Sequence, residues 1–397
     1  MANKQNGFRI LLLEAIHPGA KDLLAREGHT VQLESHSPKE AELVTMLQNF
    51  DVVGIRSKTQ ITEKVLQANP HLLAVGCFCI GTDQVKLDQA KRLGIPVFNA
   101  PYSNTRSVAE LVLAEIVALS RQLGDRSMMA HRGEWMKSAV GSREVRGKTL
   151  GIVGYGHIGS QVSVLAESFG MRVVYFDVIK KLPLGNSQQL ETLEDVLRVS
   201  DFVSLHVPDT AQTKQMITER ELSQMKKGAC LINASRGSVV VIPALAEALK
   251  SNHLAGAAVD VFPVEPSSNN EKFVSELQGL KNVILTPHIG GSTEEAQEAI
   301  GIEVAQSFLG FLKNGSTRGA VNFPNVDLPI LHDNSQRMIN VHQNVPGVLG
   351  EINSIVSKFG VNITAQGLST DSNVGYLVMD MEGRAEEVSN LVAGLKT

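Results

Sequence analysis

Arg236 in INASRG, Glu265 in AVDVFPVEP and His288 in LTPHIGG stand where a hydride-transfer site on a small 2-hydroxy or 2-keto acid would need them. An arginine can grip a carboxylate bidentately and polarise the adjoining carbonyl. A histidine, with its near-neutral pKa, can pass a proton to or from the reacting oxygen. A carboxylate beside that histidine orients the ring and favours its charged form. Taken one at a time, each residue has an ordinary reading as well. Arg236 could sit in a surface ion pair, Glu265 could be a solvated loop acid, and His288 could be a loop histidine satisfied by its neighbours. All follow a phosphate-binding signal, GIVGYGHIG, in which Gly154, Gly156 and Gly159 form G-x-G-x-x-G. A buried-strand run (149–153) precedes it and a helical run (158–169), closed by Gly170, follows; a dinucleotide fold requires this setting. Asp177 ends the next strand-like run, VVYFD. Its carboxylate can accept from both ribose hydroxyls and would repel a 2′-phosphate, so NAD is expected over NADP.

The elements that must position these residues alternate between strand-like and helix-like runs, the pattern of parallel α/β folds. Early strands are predicted at 9–13, 31–33, 52–55, 73–76 and 97–99. They precede the glycine signal and contain none of their own, so they form a separate domain. Ser107 and Glu110 have capping-box spacing ahead of a long apolar helix. Later strands are predicted at 202–205, 229–232, 257–260 and 283–285, followed by a helix over 293–312. The catalytic candidates thus fall beyond the carboxyl ends of strands, where ligands of such sheets bind. Residues 314–329 read as a linker. Beyond it, strands at 338–342, 363–368 and 376–381 with helices at 347–359 and 385–395 give β-α-β-β-α, one strand short of a ferredoxin-like fold.

Composition narrows the function classes. The chain has 397 residues, 43% of them apolar, and a formal charge of −4, which gives no sign of a nucleic-acid or anionic-membrane partner. Its 3 cysteines supply neither a disulfide framework nor a zinc site and suit a reducing cytoplasm. Cys77 and Cys79 read as strand-end packing. No signal peptide or membrane span is expected. GSREVRGKT looks superficially like a P-loop, but its glycines are one residue too far apart and its GKT precedes a strand.

The ordered set G-x-G-x-x-G, Asp, SRG, V-E-P and P-H-I-G-G resembles the D-isomer-specific 2-hydroxyacid dehydrogenases over roughly residues 7–313. The resemblance implies Arg236 on the substrate, His288 as acid/base and Glu265 as its partner. It implies NAD contacts at His157, Ile158, Asp177, Ala234, Ser235 and Asp260, and around His288–Gly291, including Gly290. GCFCIGTDQV, APYSNTRSVAEL, AHRGEW and HIGGSTEEAQ resemble the bacterial branch that oxidises 3-phospho-D-glycerate, the entry step of serine synthesis. That branch implies substrate contacts from backbone N–H groups near Ile80 and Gly81 and from Asn104, with Arg56 and Lys58 as candidates for the phosphate. The alternative is that these two cations merely cover a solvated strand end.

HQNVPGVLGEINSIVSKFGVNI resembles an ACT amino-acid-binding module. Its turn and second strand would place His342, Asn344 and Asn362 around an effector, expected to be L-serine held between paired subunits. The expected architecture is therefore a Rossmann-type NAD domain (104–290) inserted in a flavodoxin-like α/β substrate domain (7–103 and 291–325), plus a ferredoxin-like ACT domain (335–397). A cytoplasmic homotetramer is expected from the same resemblance. Three departures stand out. Val241 occupies a helix-cap position where relatives often carry an acid, Lys58 stands where arginine is common, and the last ACT strand is missing from the sequence. Two other functions stay open at this point: a dehydrogenase of another D-2-hydroxy acid such as lactate, glycerate or 2-hydroxyglutarate, and a non-enzymatic NAD-sensing scaffold.

Overall fold

The computed structural model describes residues 7–266, 270–329, 331 and 335–382. The chain divides into two compact units, residues 104–296 and the segments on either side of them.

The first unit opens with β1 (Arg9–Leu12), β2 (Thr30–Leu33), β3 (Val52–Ile55), β4 (Ala74–Cys77) and β5 (Val97–Asn99). They form a parallel sheet in the order β2-β1-β3-β4-β5, the flavodoxin-like winding. Alternate side chains serve opposite faces. Ile10 and Leu12 pack with Val304 and Phe308 of the helix Glu294–Asn314, while Leu11 and Val53 pack with Leu43 and Leu47. Covering both faces is what makes these strands read as short apolar runs without polar alternation.

The second unit contains β6 (Thr149–Val153), β7 (Arg172–Phe176), β8 (Gln188–Gln189), β9 (Phe202–Leu205), β10 (Cys230–Asn233), β11 (Gly256–Val259) and β12 (Val283–Leu285). Their order is β12-β11-β10-β9-β6-β7-β8, and every pair is parallel. The winding reverses between β6 and β9, so the glycine turn after β6 opens at the topological switch point. The helix Thr105–Arg121 packs across β10, β11 and β12. Its start departs from the capping-box expectation. Asn104 is the N-cap, without a side-chain cap bond, and the Ser107 hydroxyl instead pairs with Thr293 Oγ1 at 2.8 Å. Val241 does cap the helix Ile242–Lys250, and it too makes no side-chain cap bond.

Back in the first unit, β13 (Ser335–Gln343), β14 (Asn362–Thr370) and β15 (Val374–Glu382) make an antiparallel sheet in the order β13-β15-β14. One face, with Met338, Leu377 and Met379, packs on Ile352 and Val356 of the helix Val348–Lys358. The other face, with Ile339, Val341, Tyr376 and Val378, joins the core of the first sheet. Arg337 clamps this junction. It pairs with Asp380 at 2.6 Å while donating to the carbonyls of Asn314 and Pro329. The predicted helix at 385–395 lies outside the described residues.

The segment 314–329 is more ordered than a linker. Val321 N–H donates to Val97 O, and the buried Asn322 accepts from Val97 N–H and donates to Ile95 O. The chain therefore runs along the outer edge of β5. A polar composition without periodicity hid this, because the side-chain amide does what a strand backbone would otherwise do.

Candidate active site

The glycine turn has the geometry a pyrophosphate needs. Gly154 has φ +90°, and a Cβ there would stand 2.4 Å from His206 O. A Cβ on Gly159 would stand 2.2 Å from Gly154 O, so only glycine allows the helix His157–Ser168 to seat against the turn. Gly156, the N-cap, faces open space. The helix begins at His157 and Ile158, so the positive end of its dipole lies at the glycine turn. Asp177 follows β7 directly. One of its oxygens accepts from Tyr155 N–H at 2.8 Å and the other from Ile179 N–H at 3.1 Å. Each oxygen keeps acceptor capacity, as ribose binding requires.

His288 and Glu265 meet as expected, with Nδ1 2.9 Å from Oε2. The hydrogen bond to Glu265 is the main cause that raises the His288 pKa, opposed by burial and by the Arg236 charge and aided by the charges of Glu265 and Asp260. Burial pushes the Glu265 carboxyl up, but the bond from His288, the Phe262 N–H and the charges of His288 and Arg236 together hold it below its ordinary value. Arg236 thus shares one electrostatic neighbourhood with the pair. Its guanidinium donates to Ser235 O at 2.8 Å. The turn that carries it is shaped by Asn233, fully buried, which accepts from Ser235 N–H and Oγ and donates to Arg236 O. A Cβ on Gly237 would stand 2.0 Å from Phe262 C and O, which accounts for the glycine after Ser-Arg.

His288 itself adopts φ +54°, a left-handed conformation rare for a residue with a Cβ. Asp260 holds it there. The Asp260 carbonyl accepts from His288 N–H, and its carboxylate, 1% exposed, accepts from Thr286 Oγ1, Ile289 N–H and Gly290 N–H at 2.6–2.8 Å. Asp260 is thus engaged with the loop around the imidazole. Asn104 lies against Gly291, and its Oδ1 is buried without a hydrogen-bond partner.

Arg56, Lys58, Ile80 and Gly81 belong to the first unit. Arg56 and Lys58 follow β3, with Lys58 exposed. Gln84, which sequence pattern did not single out, links the two segments by donating to Arg56 O at 2.7 Å and Gly81 O at 3.3 Å. Asn99 Nδ2 donates to Ile80 O at 2.6 Å.

The three effector candidates do not converge within one chain. His342 Nδ1 lies 2.9 Å from Asn340 Oδ1, and burial lowers its pKa. Asn344 Nδ2 donates to Asp371 O at 2.6 Å, beside the Lys91–Asp371 ion pair. Asn362 Nδ2 donates to Glu382 Oε2 at 3.0 Å. Gln343 pairs with Val374 and Asn362 with Glu382, so Asn344 and Asn362 lie near opposite ends of β15. At about 3.4 Å per residue they are roughly 30 Å apart.

Residues 113–290 match the family model of the D-isomer specific 2-hydroxyacid dehydrogenase NAD-binding domain. The chain is also 52% identical over 395 residues to D-3-phosphoglycerate dehydrogenase of Dictyostelium discoideum, covering 98% of this chain and 96% of that protein. It belongs to the D-isomer-specific 2-hydroxyacid dehydrogenases. The D-3-phosphoglycerate dehydrogenase of Escherichia coli K12 is 50% identical over 394 residues, 99% of this chain and 96% of that protein. Among solved structures, D-lactate dehydrogenase from Aquifex aeolicus, complexed with NAD and lactic acid, superposes with a TM-score of 0.70 at 29% identity, covering 80% of this chain and all of that one. The TT0316 protein from Thermus thermophilus gives 0.70 at 32% identity, covering 77% of this chain and 96% of that one. Residues 339–397 of this 2-hydroxyacid dehydrogenase match the AHAS small subunit-like ACT domain model. Among the described residues, no helix is long and apolar enough to cross a membrane.

Proposed function

We propose that this D-2-hydroxyacid dehydrogenase oxidises 3-phospho-D-glycerate at C2 to 3-phosphohydroxypyruvate. The observation that carries this reading is the His288–Glu265 pair beside Arg236, in a chain half identical along nearly its whole length to D-3-phosphoglycerate dehydrogenases. NAD, for which the glycine turn and Asp177 provide a fitting cradle, supplies the acceptor for the hydride that leaves C2. Because Nδ1 of His288 faces Glu265, Nε2 is the nitrogen left to take the C2 hydroxyl proton. Arg236 holds the substrate carboxylate, and the oxidised carbonyl then lies against the same cation. Arg56 and Lys58 take the phosphate, with Ile80, Gly81 and Asn104 at the carboxylate and hydroxyl. Ala234, Ser235, Asp260, Gly290 and Gly291 flank the cofactor.

The ACT segment is assigned to L-serine, the amino acid made from the product. Among the described residues β14 is a sheet edge, and antiparallel pairing of two copies there would bring Asn362 of a second copy to the turn carrying Asn344 and Asp371. Such pairing accords with a cytoplasmic homotetramer. The test is NADH formation with 3-phospho-D-glycerate, D-lactate and 2-hydroxyglutarate, followed by titration with L-serine. Strong preference for the phosphorylated substrate, loss of turnover in His288→Ala and loss of serine inhibition in Asn344→Ala are expected. Equal turnover of all substrates would overturn the substrate assignment.

A further inference from the structure

Glu14 is a buried acid just past the carboxyl end of β1, and neither hydride transfer nor cofactor binding uses it. It is 8% exposed. Both Glu14 (φ +60°) and Ala15 (φ +51°) are left-handed, although neither is glycine. Backbone held in such a conformation by its surroundings clusters at functional sites. The surroundings here are Glu14 N–H on His36 O at 3.3 Å and Ala15 N–H on Glu34 O at 3.1 Å. This turn aims the Glu14 side chain across the sheet at the loop after β3.

There the carboxylate meets backbone rather than cations. Oε1 accepts from Arg56 N–H at 3.1 Å and Thr59 N–H at 2.8 Å, and Oε2 accepts from Lys58 N–H at 3.0 Å. A buried carboxylate is tolerable when N–H groups satisfy it in this way. Among the described residues the Arg56 guanidinium reaches only the Glu14 carbonyl, at 3.5 Å, and the Lys58 side chain is exposed. The acid therefore orders the loop without forming a salt bridge to either side chain. On the loop's other side, Gln84 fixes Arg56 O and ties it to Gly81 O.

We propose that Glu14 is a positioning residue for the substrate phosphate, holding the backbone of Arg56, Lys58 and Thr59 so that the two cations present one anion site. The inference rests on Arg56 and Lys58 taking the phosphate. It gives Glu14 a role in distinguishing a phosphorylated 2-hydroxy acid from its unphosphorylated counterpart.

The test compares Glu14→Gln, Glu14→Asp and Arg56→Ala with the unmodified enzyme on 3-phospho-D-glycerate and on D-glycerate. Glutamine sets an NH2 donor against a backbone donor. KM for the phosphorylated substrate should rise roughly tenfold, the scale of one hydrogen bond to a charged group. The turnover number at saturation and kcat/KM on D-glycerate should hold. Aspartate keeps the charge but falls one methylene short, so a smaller rise with the same selectivity is expected, even if the glutamine variant folds poorly. A merely structural acid would lower kcat for both substrates alike. That outcome, or an unchanged KM in Glu14→Gln and Glu14→Asp while Arg56→Ala is selective, overturns the inference. Loss of selectivity for the phosphate in none of the variants, Arg56→Ala included, overturns the phosphate assignment and this inference with it.

Discussion

Asp260→Asn should damage turnover through the histidine loop more than through cofactor affinity. In the native protein, Oδ1 of Asp260 accepts from Thr286 Oγ1 and Ile289 N–H, and Oδ2 accepts from Gly290 N–H. An asparagine oxygen can keep the first pair. Its NH2 must then face the Gly290 N–H, donor against donor. One charge-assisted bond is lost, at about 1.5–3 kcal/mol, and the remaining two weaken because the acceptor is neutral. Asparagine is easier to bury than a carboxylate, which offsets part of this, leaving about 2–4 kcal/mol. The left-handed His288 adds its own pull toward relaxation, since an L-residue in that region costs about 1–2 kcal/mol. At 1.36 kcal/mol per factor of ten, kcat should fall about thirtyfold or more. Thr286→Val removes only the hydroxyl bond, about 1 kcal/mol, and should cost about fivefold. Steady-state kcat and the KM for NAD, with a melting curve to show that the variant is folded, make the measurement. If kcat stays within a factor of two while the KM for NAD rises, Asp260 acts on the cofactor and the loop argument is wrong.

Glu265→Gln removes the chief cause of the raised His288 pKa. Oxidation needs a neutral ring, so its acid limb should move to lower pH; reduction needs the charged ring, so its alkaline limb should move the same way and its range narrow. Profiles that coincide with the unmodified enzyme's would remove Glu265 from this role. The same raised pKa makes the stabilisation complete below about 6.5, the unfolded value, and lost as pH rises through the folded one. Thermal melts across that window should show the loss in the unmodified enzyme and not in the variant. Asp177→Ala should shrink the preference for NAD over NADP, mainly by weakening NAD, measured as the ratio of kcat/KM values; an unchanged ratio would place the discrimination elsewhere.

Some of this was legible in the chain and some was not. The short parallel strands stand out because both of their faces are buried, and the glycine turn because Gly154 and Gly159 have no room for a Cβ. The contact of His288 with Glu265 is legible because the two residues each follow a strand that ends at the same side of one sheet. Asn322, Gln84 and Glu14 are different. Each acts through hydrogen bonds to backbone far away in sequence, and no periodicity records a side chain whose partner is a main-chain group. The capping-box spacing at Ser107 misled for a related reason: the hydroxyl found a partner in Thr293, and the helix began earlier. The effector residues share a module, but strand register separates Asn344 from Asn362, and register is set by pairing that a single strand's sequence does not display.

The path of residues 314–329 bears on how the enzyme can be cut. β5 is the last strand of its sheet, and a bare edge is a template for pairing with other chains. Here Val97 already has both main-chain groups occupied by Val321 and Asn322, and Phe98 is bridged to Ala320. The segment that leads to the ACT sheet is therefore also the selvage of the first sheet. A catalytic fragment ended at Asn314 would expose that edge and should self-associate. One ended after Asp327 would keep that border and should self-associate less, although it still uncovers the core face that packs on Tyr376 and Val378.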